Sequence, residues 1–136
     1  MPLNLPNPYD AEGHFSITSG LVGAPSISAS LITISKTGFT QGYGTVSQAV
    51  YPPLQFQTKL AGVAHATGAG KAEQIFDLHG IETSQLVGAP RIVSLLIVLD
   101  GIWGTTGKAS YVLFEDTPEP KEFKDQKVAV TWIRKP

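Results

Sequence analysis

Residues Thr18 to Ser35 read TSGLVGAPSISASLITIS, and residues Thr83 to Asp100 read TSQLVGAPRIVSLLIVLD. At an offset of 65 residues the two segments are identical at ten of eighteen positions. Because even a common residue such as glycine fills only about 7% of positions, chance predicts about one or two matches. The segment is therefore an internal duplication. It predicts repeat halves at about residues 14–65 and 79–133, related by a pseudo-two-fold axis.

Each copy contains Gly-Ala-Pro, which predicts a bend followed by an extended chain, because proline fixes φ and disfavours helical geometry before it. In the first copy apolar residues alternate with serines over residues 26–31, and the apolar phase then shifts to Ile32 and Ile34. This pattern predicts a half-buried strand with a β-bulge near Leu31. In the second copy residues 93–99 are nearly all apolar, which predicts a strand buried on both faces, either central in the fold or beneath an interface.

The rest of the chain is built from short segments with the period-two pattern of strands. No 3.6-residue period stands out, and fourteen glycines and ten prolines punctuate the sequence. These features predict an all-β fold, an antiparallel sandwich or small barrel of about eight strands, as one domain over residues 13–136. Residues 1–12 are predicted to be an extended N-terminal arm, and residues 116–124 an extended connection. The further predicted strands lie near residues 14–17, 41–50, 54–60, 73–79, 108–115 and 127–132.

Charge is distributed unevenly along the 136 residues. The first 70 residues contain only Asp10, Glu12, Lys36 and Lys59, and the remaining seventeen charges follow, for a net charge of −1. A charge-poor surface over half a domain suggests cover by a partner. The absence of a basic cluster argues against nucleic acid as that partner, and the absence of a run of about 18 apolar residues argues against membrane insertion. The N-terminal residues lack the pattern of a secretory signal, which predicts a cytoplasmic protein by default or export by a non-classical route.

No familiar catalytic motif is present in the sequence. The stretch TGAGKA at residues 67–72 lacks the first glycine and the Ser or Thr of a phosphate-binding loop, and the absence of cysteine removes thiolate chemistry and disulfides. His14, His65 and His79 lie far apart in the sequence. We therefore expect no enzyme activity, no cofactor and no metal, and no nucleophile–base pair within hydrogen-bond reach in a shared cleft.

Two sets of residues are candidates for function. Asp100 and Trp103 follow the apolar strand and could form a polar and aromatic platform for a small ligand or a sugar, although a loop tryptophan can instead cap a core. Self-association is the leading hypothesis, because the chain combines a charge-poor half, an apolar strand and an arm that must lie on its own sheet or on a neighbour's. The sequence thus predicts a non-catalytic domain that forms a homo-oligomer, with a ligand- or glycan-binding module as the alternative and an enzyme with an unrecognised site as the third possibility. The self-association candidates are Leu3, Leu5 and Tyr9 of the arm and Val93, Leu95 and Ile97 of the apolar strand.

Residues Gly42 to Val63 and Val93 to Phe114 resemble a bacterial family, the domain of unknown function numbered 1842. The resemblance covers roughly residues 14–115 and concerns turn and core positions, so it implies a single β-domain and no particular activity. The positions that carry it are Gln48, Ala49, Pro52, Pro53 and Leu54, followed by Val98, Leu99, Asp100, Trp103, Gly107, Ala109 and Tyr111.

Overall fold

The structure is a computed structural model, and it describes residues 7–20, 24–48, 54–67, 73–81, 91–114 and 120–136. Within these residues the chain forms eight β-strands, and each of the eight predicted segments falls on one of them. The strands are β1 (Ala11–Thr18), β2 (Ser26–Thr33), β3 (Phe39–Gln48), β4 (Leu54–Ala66), β5 (Gln74–Ile81), β6 (Arg91–Leu99), β7 (Thr106–Phe114) and β8 (Lys121–Arg134).

The strands form one closed antiparallel barrel in which every strand pairs with the next along the chain. Closure comes from β1 and β8, whose antiparallel register places Phe15 opposite Val130 and Ile17 opposite Val128. The all-β prediction is confirmed, and of its two alternatives the barrel is right and the sandwich is wrong. An up-and-down barrel leaves no sheet edge unpaired, which accounts for the pairing of the first and last strands.

The barrel interior is filled by side chains from alternate positions on each strand. Phe15, Ile17, Phe76 and Leu95 are each 0% exposed, and in β1 every second residue is buried while those between are half-buried or exposed. An eight-stranded barrel encloses a space just wide enough for side chains, so its interior is a packed core rather than a channel.

The two copies of the duplicated segment differ in regularity. Strand β2 pairs with β1 and β3 in unbroken register, and its buried side chains continue from Leu31 to Thr33, so the predicted bulge near Leu31 is wrong. Ile32 and Ile34 are half-buried on the outer side. The irregularity lies in the second copy, where the register of β6 against β7 shifts between Ile92 and Ser94.

The prediction that β6 is buried on both faces is also wrong within this chain. Leu95, Ile97 and Leu99 fill the interior, whereas Val93 is 37% exposed and Leu96 is 42% exposed. A closed barrel is a single layer, so one face of every strand meets solvent unless another molecule covers it.

The duplicated strands occupy corresponding places in the strand order. β2 and β6 are four strands apart in either direction around an eight-strand ring, and each is followed by a hairpin to β3 or β7. A pseudo-two-fold axis that relates the two copies, as the sequence predicts, requires this placement. The repeated LVGAP words themselves lie mostly outside the described residues.

The ends of the predicted domain need two adjustments. β1 begins at Ala11, inside the predicted arm, and β8 begins at Lys121, inside the predicted connection 116–124. Leu3 and Leu5 of the arm lie outside the described residues.

Candidate functional site

The strand ends joined by the β2–β3, β4–β5 and β6–β7 connections lie at the same end of the barrel, which we call the barrel mouth. A cleft of about 220 Å³ opens there. The turns that follow both copies of the duplicated segment contribute to it, Ser35 from the first and Trp103 from the second. Its walls are formed by Thr33, Ser35, His65, Gln74, Ile102 and Trp103, together with small residues of β4 and of the β2–β3 turn.

Trp103 is held in a strained backbone conformation beside this cleft. Its φ is +54°, a left-handed value that bulky side chains seldom adopt. Its backbone N–H donates to Oε1 of the buried Gln74 at 2.8 Å. This hydrogen bond ties the β6–β7 turn to the first residue of β5 and offsets part of the cost of the strain.

A chain of aromatic rings continues from Trp103 into the core. Trp103 packs edge-on against Trp132 with centroids 5.2 Å apart, and Trp132 packs in the same way against Phe15 at 5.6 Å. Phe15 in turn contacts Phe76. Nε1 of Trp132 donates to the carbonyl of Gly104 at 2.9 Å, so the turn that carries Trp103 is fixed from two sides.

The structure places the two predicted ligand residues differently. Trp103 lines the mouth cleft, whereas Asp100 is not among the residues that line it. The Asp100 carboxylate accepts a hydrogen bond from the Thr106 hydroxyl at 2.8 Å, which braces the β6–β7 turn. Sequence reasoning missed His65, Gln74 and Ser35, because they come from separate turns and strand ends and share no local motif.

A second cleft of about 220 Å³ lies on the outer face of β2–β4, between Ile32, Gln41, Tyr43 and Lys59. The described end of the arm lies beside it. Tyr9 is half-buried, and its hydroxyl accepts a hydrogen bond from Nε2 of Gln41 at 2.8 Å. This part of the arm therefore packs on its own chain.

Asp10 makes a second contact between the arm and the barrel. Its carboxylate accepts hydrogen bonds from the backbone N–H of Ser35, at 2.9 Å, and from the Ser35 hydroxyl. The bond from the hydroxyl, followed by that from the backbone, lowers the pKa of Asp10 below its ordinary value.

An apolar outer surface, which we call the β4–β6 face, surrounds a pair of polar residues. On β5, Asp77 and His79 are two residues apart, and their side chains approach to 3.5 Å. Asp77 lies opposite Val63 of β4 and Leu96 of β6. The apolar members of the face are Val63, Ile75, Ile81 and Leu96, of which Val63, Ile81 and Leu96 are 47%, 42% and 42% exposed.

Only one of the three candidate self-association residues on β6 reaches the surface. Leu95 and Ile97 are 0% exposed inside the barrel, and Val93 lies outside. This placement corrects the sequence-based assignment, because alternate residues of a strand point to opposite faces and the shift after Ile92 sets which ones point outward. The large apolar side chain that the middle of β6 presents to solvent is Leu96.

His14 is hydrogen-bonded to two serines on the neighbouring strand. Its Nε2 lies 2.9 Å from Oγ of Ser28 and its Nδ1 lies 3.1 Å from Oγ of Ser30. The sequence predicts no nucleophile–base pair within hydrogen-bond reach in a shared cleft. His14 and its serines are within hydrogen-bond reach of each other, so they meet the distance criterion for such a pair. The three side chains lie on the exposed outer face of β1 and β2, and neither of the two clefts described above is lined by them.

Tyr111 is a buried titratable group in the interior. It is 1% exposed, its ring stacks on Phe123 at 5.0 Å, and its hydroxyl donates to the carbonyl of Pro25 at 3.4 Å. Burial raises the pKa of Tyr111 to about 12.

The described part of the chain shows neither a metal-binding cluster nor a membrane-spanning helix. There, no group of three or more His, Cys, Asp or Glu side chains is placed to hold a metal ion. The described residues also contain no helix that is long and apolar enough to cross a membrane.

Comparison with known families identifies the chain at the level of family. A family described as a domain of unknown function (DUF1842) matches residues 12–118. The match covers most of the sequence, and the chain belongs to this family. No curated protein matches the chain.

Proposed function

We propose that this DUF1842 protein is a non-catalytic barrel that associates with copies of itself through the β4–β6 face. The observation that carries the proposal is the cluster of large, partly exposed apolar side chains on one side of the barrel. Val63 and Leu96 flank Asp77 from the two neighbouring strands, and Ile75 and Ile81 flank the Asp77–His79 pair along β5. Exposed apolar side chains grouped on one face in this way are typical of protein contacts.

The apolar contribution suits a reversible contact. Val63, Ile81 and Leu96 are each exposed by about two-fifths of their surface. Since full burial of such a side chain contributes about 1.5–3 kcal/mol, covering the exposed part contributes about 1 kcal/mol each, or about 6 kcal/mol for the six in a symmetric dimer. This gain lies near the lower end of the cost of association, about 4–15 kcal/mol. We therefore expect the mass in solution to depend on protein concentration.

The polar pair makes the face complementary to itself. A two-fold axis that passes between Asp77 and His79 brings the imidazole of each copy toward the carboxylate of the other. Such an isologous contact uses the same patch on both subunits and leaves neither polar group facing an apolar surface. This complementarity favours a second copy of the chain as the occupant of the face.

The surroundings of His14 support a non-catalytic role. Its two serine partners lie on β2, which is hydrogen-bonded on one side to β1 and on the other to β3. Acyl transfer by serine needs backbone or side-chain donors that point at the developing oxyanion, and here the backbone donors of the strand serve the ladders. We assign the histidine to cross-strand bonding on the barrel surface.

Light scattering over a concentration series tests the proposal. Leu96→Lys places a charge in the contact and sets it opposite Asp77 in the isolated barrel, so we expect a monomer with unchanged far-UV circular dichroism. Ala129→Lys is the matched control, because Ala129 is exposed on β8, away from the β4–β6 face. We expect this variant to assemble like the unmodified protein. A wild-type protein that stays monomeric at every concentration, or equal masses for the two variants, would refute the proposal.

Removal of residues 1–8 distinguishes a contact made by the arm from a contact made by the β4–β6 face. This truncation retains Tyr9 and Asp10, which contact the barrel of the same chain. If the β4–β6 face is the contact, the shortened protein keeps its mass. A drop to the monomer mass would move the contact to the arm, as the sequence-based hypothesis for Leu3 and Leu5 has it.

A further inference from the structure

We propose that the cleft at the barrel mouth binds a neutral sugar, with Trp103 as its apolar platform. The described cleft lining and the β4–β6 face share no residue, and they meet where His65 lies opposite Ile75. The mouth of a barrel is a preferred place for ligand sites, because turns from several strands converge there around a concave surface. The cleft volume of about 220 Å³ fits a ligand of monosaccharide size.

The chemistry of the cleft lining selects the ligand class. The described lining residues carry hydroxyl, amide, imidazole, aliphatic and indole groups, and none of these described residues is Asp, Glu, Lys or Arg. A charged ligand would leave water without gaining an opposite charge, which disfavours anions and cations alike. A neutral sugar presents both hydroxyl groups and apolar C–H faces, and both have counterparts here.

His65 and Ser35 supply polar groups to the same cleft. His65 at the end of β4 is exposed and can donate or accept one hydrogen bond toward the cleft. Ser35 donates its hydroxyl proton to Asp10, so the oxygen keeps its capacity to accept a hydrogen bond from a ligand. Ile102 is 50% exposed and extends the apolar wall beside Trp103.

The backbone strain at Trp103 is a second, independent observation. A non-glycine residue with φ of +54° persists only where its surroundings hold it, and such residues cluster at functional sites. Here the hydrogen bond to Gln74 and the edge-on contact with Trp132 hold the turn. The indole is thereby fixed beside the cleft before any ligand arrives, which lowers the entropy cost of binding.

Titration with D-glucose, D-galactose and N-acetyl-D-glucosamine, followed by NMR of the backbone amides and the two indole N–H groups, tests the inference. Sugar concentrations reach about 50 mM, which nearly saturates a site with a dissociation constant of about 1 mM. We expect at least one sugar to shift the signals of Trp103 and His65 in a saturable way. Signals of Tyr43, in the second cleft, should stay unchanged.

Two variants and a control assign the binding to the cleft. Trp103→Gly removes the indole, and glycine adopts a positive φ at no steric cost, so the turn keeps its shape. His65→Ala removes the exposed imidazole. We expect each variant to weaken binding at least tenfold and Tyr43→Ala to leave it unchanged. The inference is overturned if no sugar shifts the Trp103 signals, or if binding survives both cleft variants.

Discussion

Strands β2 and β6 descend from one duplicated segment, yet they present opposite outer surfaces. β2 is regular, and its exposed side carries Ser28 and Ser30, which bind His14. β6 is irregular after Ile92, and its exposed side carries Val93 and Leu96. Leu31 and Leu96 correspond in the repeat, but Leu31 is 2% exposed and Leu96 is 42% exposed.

The difference shows how one extra residue in a ladder changes the use of a strand. A β-bulge reverses the inward and outward phase of every residue beyond it. In β6 each residue from Leu95 to Leu99 is apolar, so the reversed phase still fills the core and moves Leu96 to the surface. The exposed side is therefore polar in β2 and apolar in β6. The exposed side of β6 belongs to the β4–β6 face that we propose for self-association.

The largest expected effect tests the phase of β6 directly. Ile97→Ala removes a side chain that is 0% exposed and should lower the free energy of unfolding by about 2–5 kcal/mol, because it loses apolar burial and leaves a cavity. Leu96→Ala, one residue away, should cost less than about 1 kcal/mol in dilute protein. Urea denaturation measures both variants. A larger loss of unfolding free energy for Leu96→Ala than for Ile97→Ala would mean that Leu96 faces the core, and it would contradict the bulge.

The next largest loss of stability is expected at two glycines that occupy corresponding positions in the two halves of the chain. Gly42 of β3 and Gly107 of β7 each pass close to the copy of the duplicated strand beside them, and an added Cβ would overlap the carbonyl oxygen of Ser30 or of Val98. Gly42→Ala and Gly107→Ala should therefore each lower the free energy of unfolding by about 1–3 kcal/mol. Gly101→Ala is the matched control, because an added Cβ there meets open space. Equal stability of all three variants in urea would contradict the close strand approach.

The strands themselves could be predicted from the sequence, because turn residues and period-two patterns are local signals. Phe15 and Ile17 alternate with polar neighbours and have only one plausible inward side. The phase of β6 could not be predicted, since Val93 to Leu99 is apolar on both sides. Closure of the barrel was equally out of reach, because the pairing of β1 with β8 joins the two most distant strands of the chain and leaves no local pattern.

The candidate site was predictable only in part. Trp103 stood out as an aromatic residue in a turn, and the structure places it at the barrel mouth. His65, Gln74 and Ser35 join it only because the β2–β3, β4–β5 and β6–β7 turns end at the same side of the barrel. Asp100 looked like a ligand residue, but its carboxylate is engaged with Thr106.

Tyr43 of β3 and Tyr111 of β7 should differ in their effect on the pH dependence of stability. Tyr111 of β7 faces the interior with its pKa raised to about 12 by burial, against an ordinary value of 10.0. Above pH 10 the unfolded state loses the proton more readily than the folded state, so stability is full below pH 10 and falls as pH rises toward 12. Tyr111→Phe should make this fall shallower in urea midpoints measured across that range. Tyr43→Phe, which alters a 50% exposed ring of β3, should leave the slope as in the wild-type protein; equal slopes for all three proteins would contradict the assignment to Tyr111.

The smallest effect concerns the turns that follow β2 and β6, where Ser35 and Asp100 correspond in the repeat. In the first copy Ser35 donates two hydrogen bonds to Asp10, and in the second Asp100 accepts one from Thr106. Because the Ser35 bonds lower the pKa of Asp10 from 3.8, this carboxylate stabilises the fold above pH 3.8, and the contribution is lost as pH falls through the lowered pKa. Asp10→Asn should thus lower the melting temperature slightly at pH 7, and the difference from wild type should shrink toward zero in strong acid. A difference that persists at every pH would show that the charge is not its source.

The contact between Asp10 and Ser35 lies within one chain, so the difference in melting temperature should not vary with protein concentration. A difference that did vary would mean that the arm crosses to a neighbouring subunit. The arm and the β4–β6 face would then both contribute to the assembly.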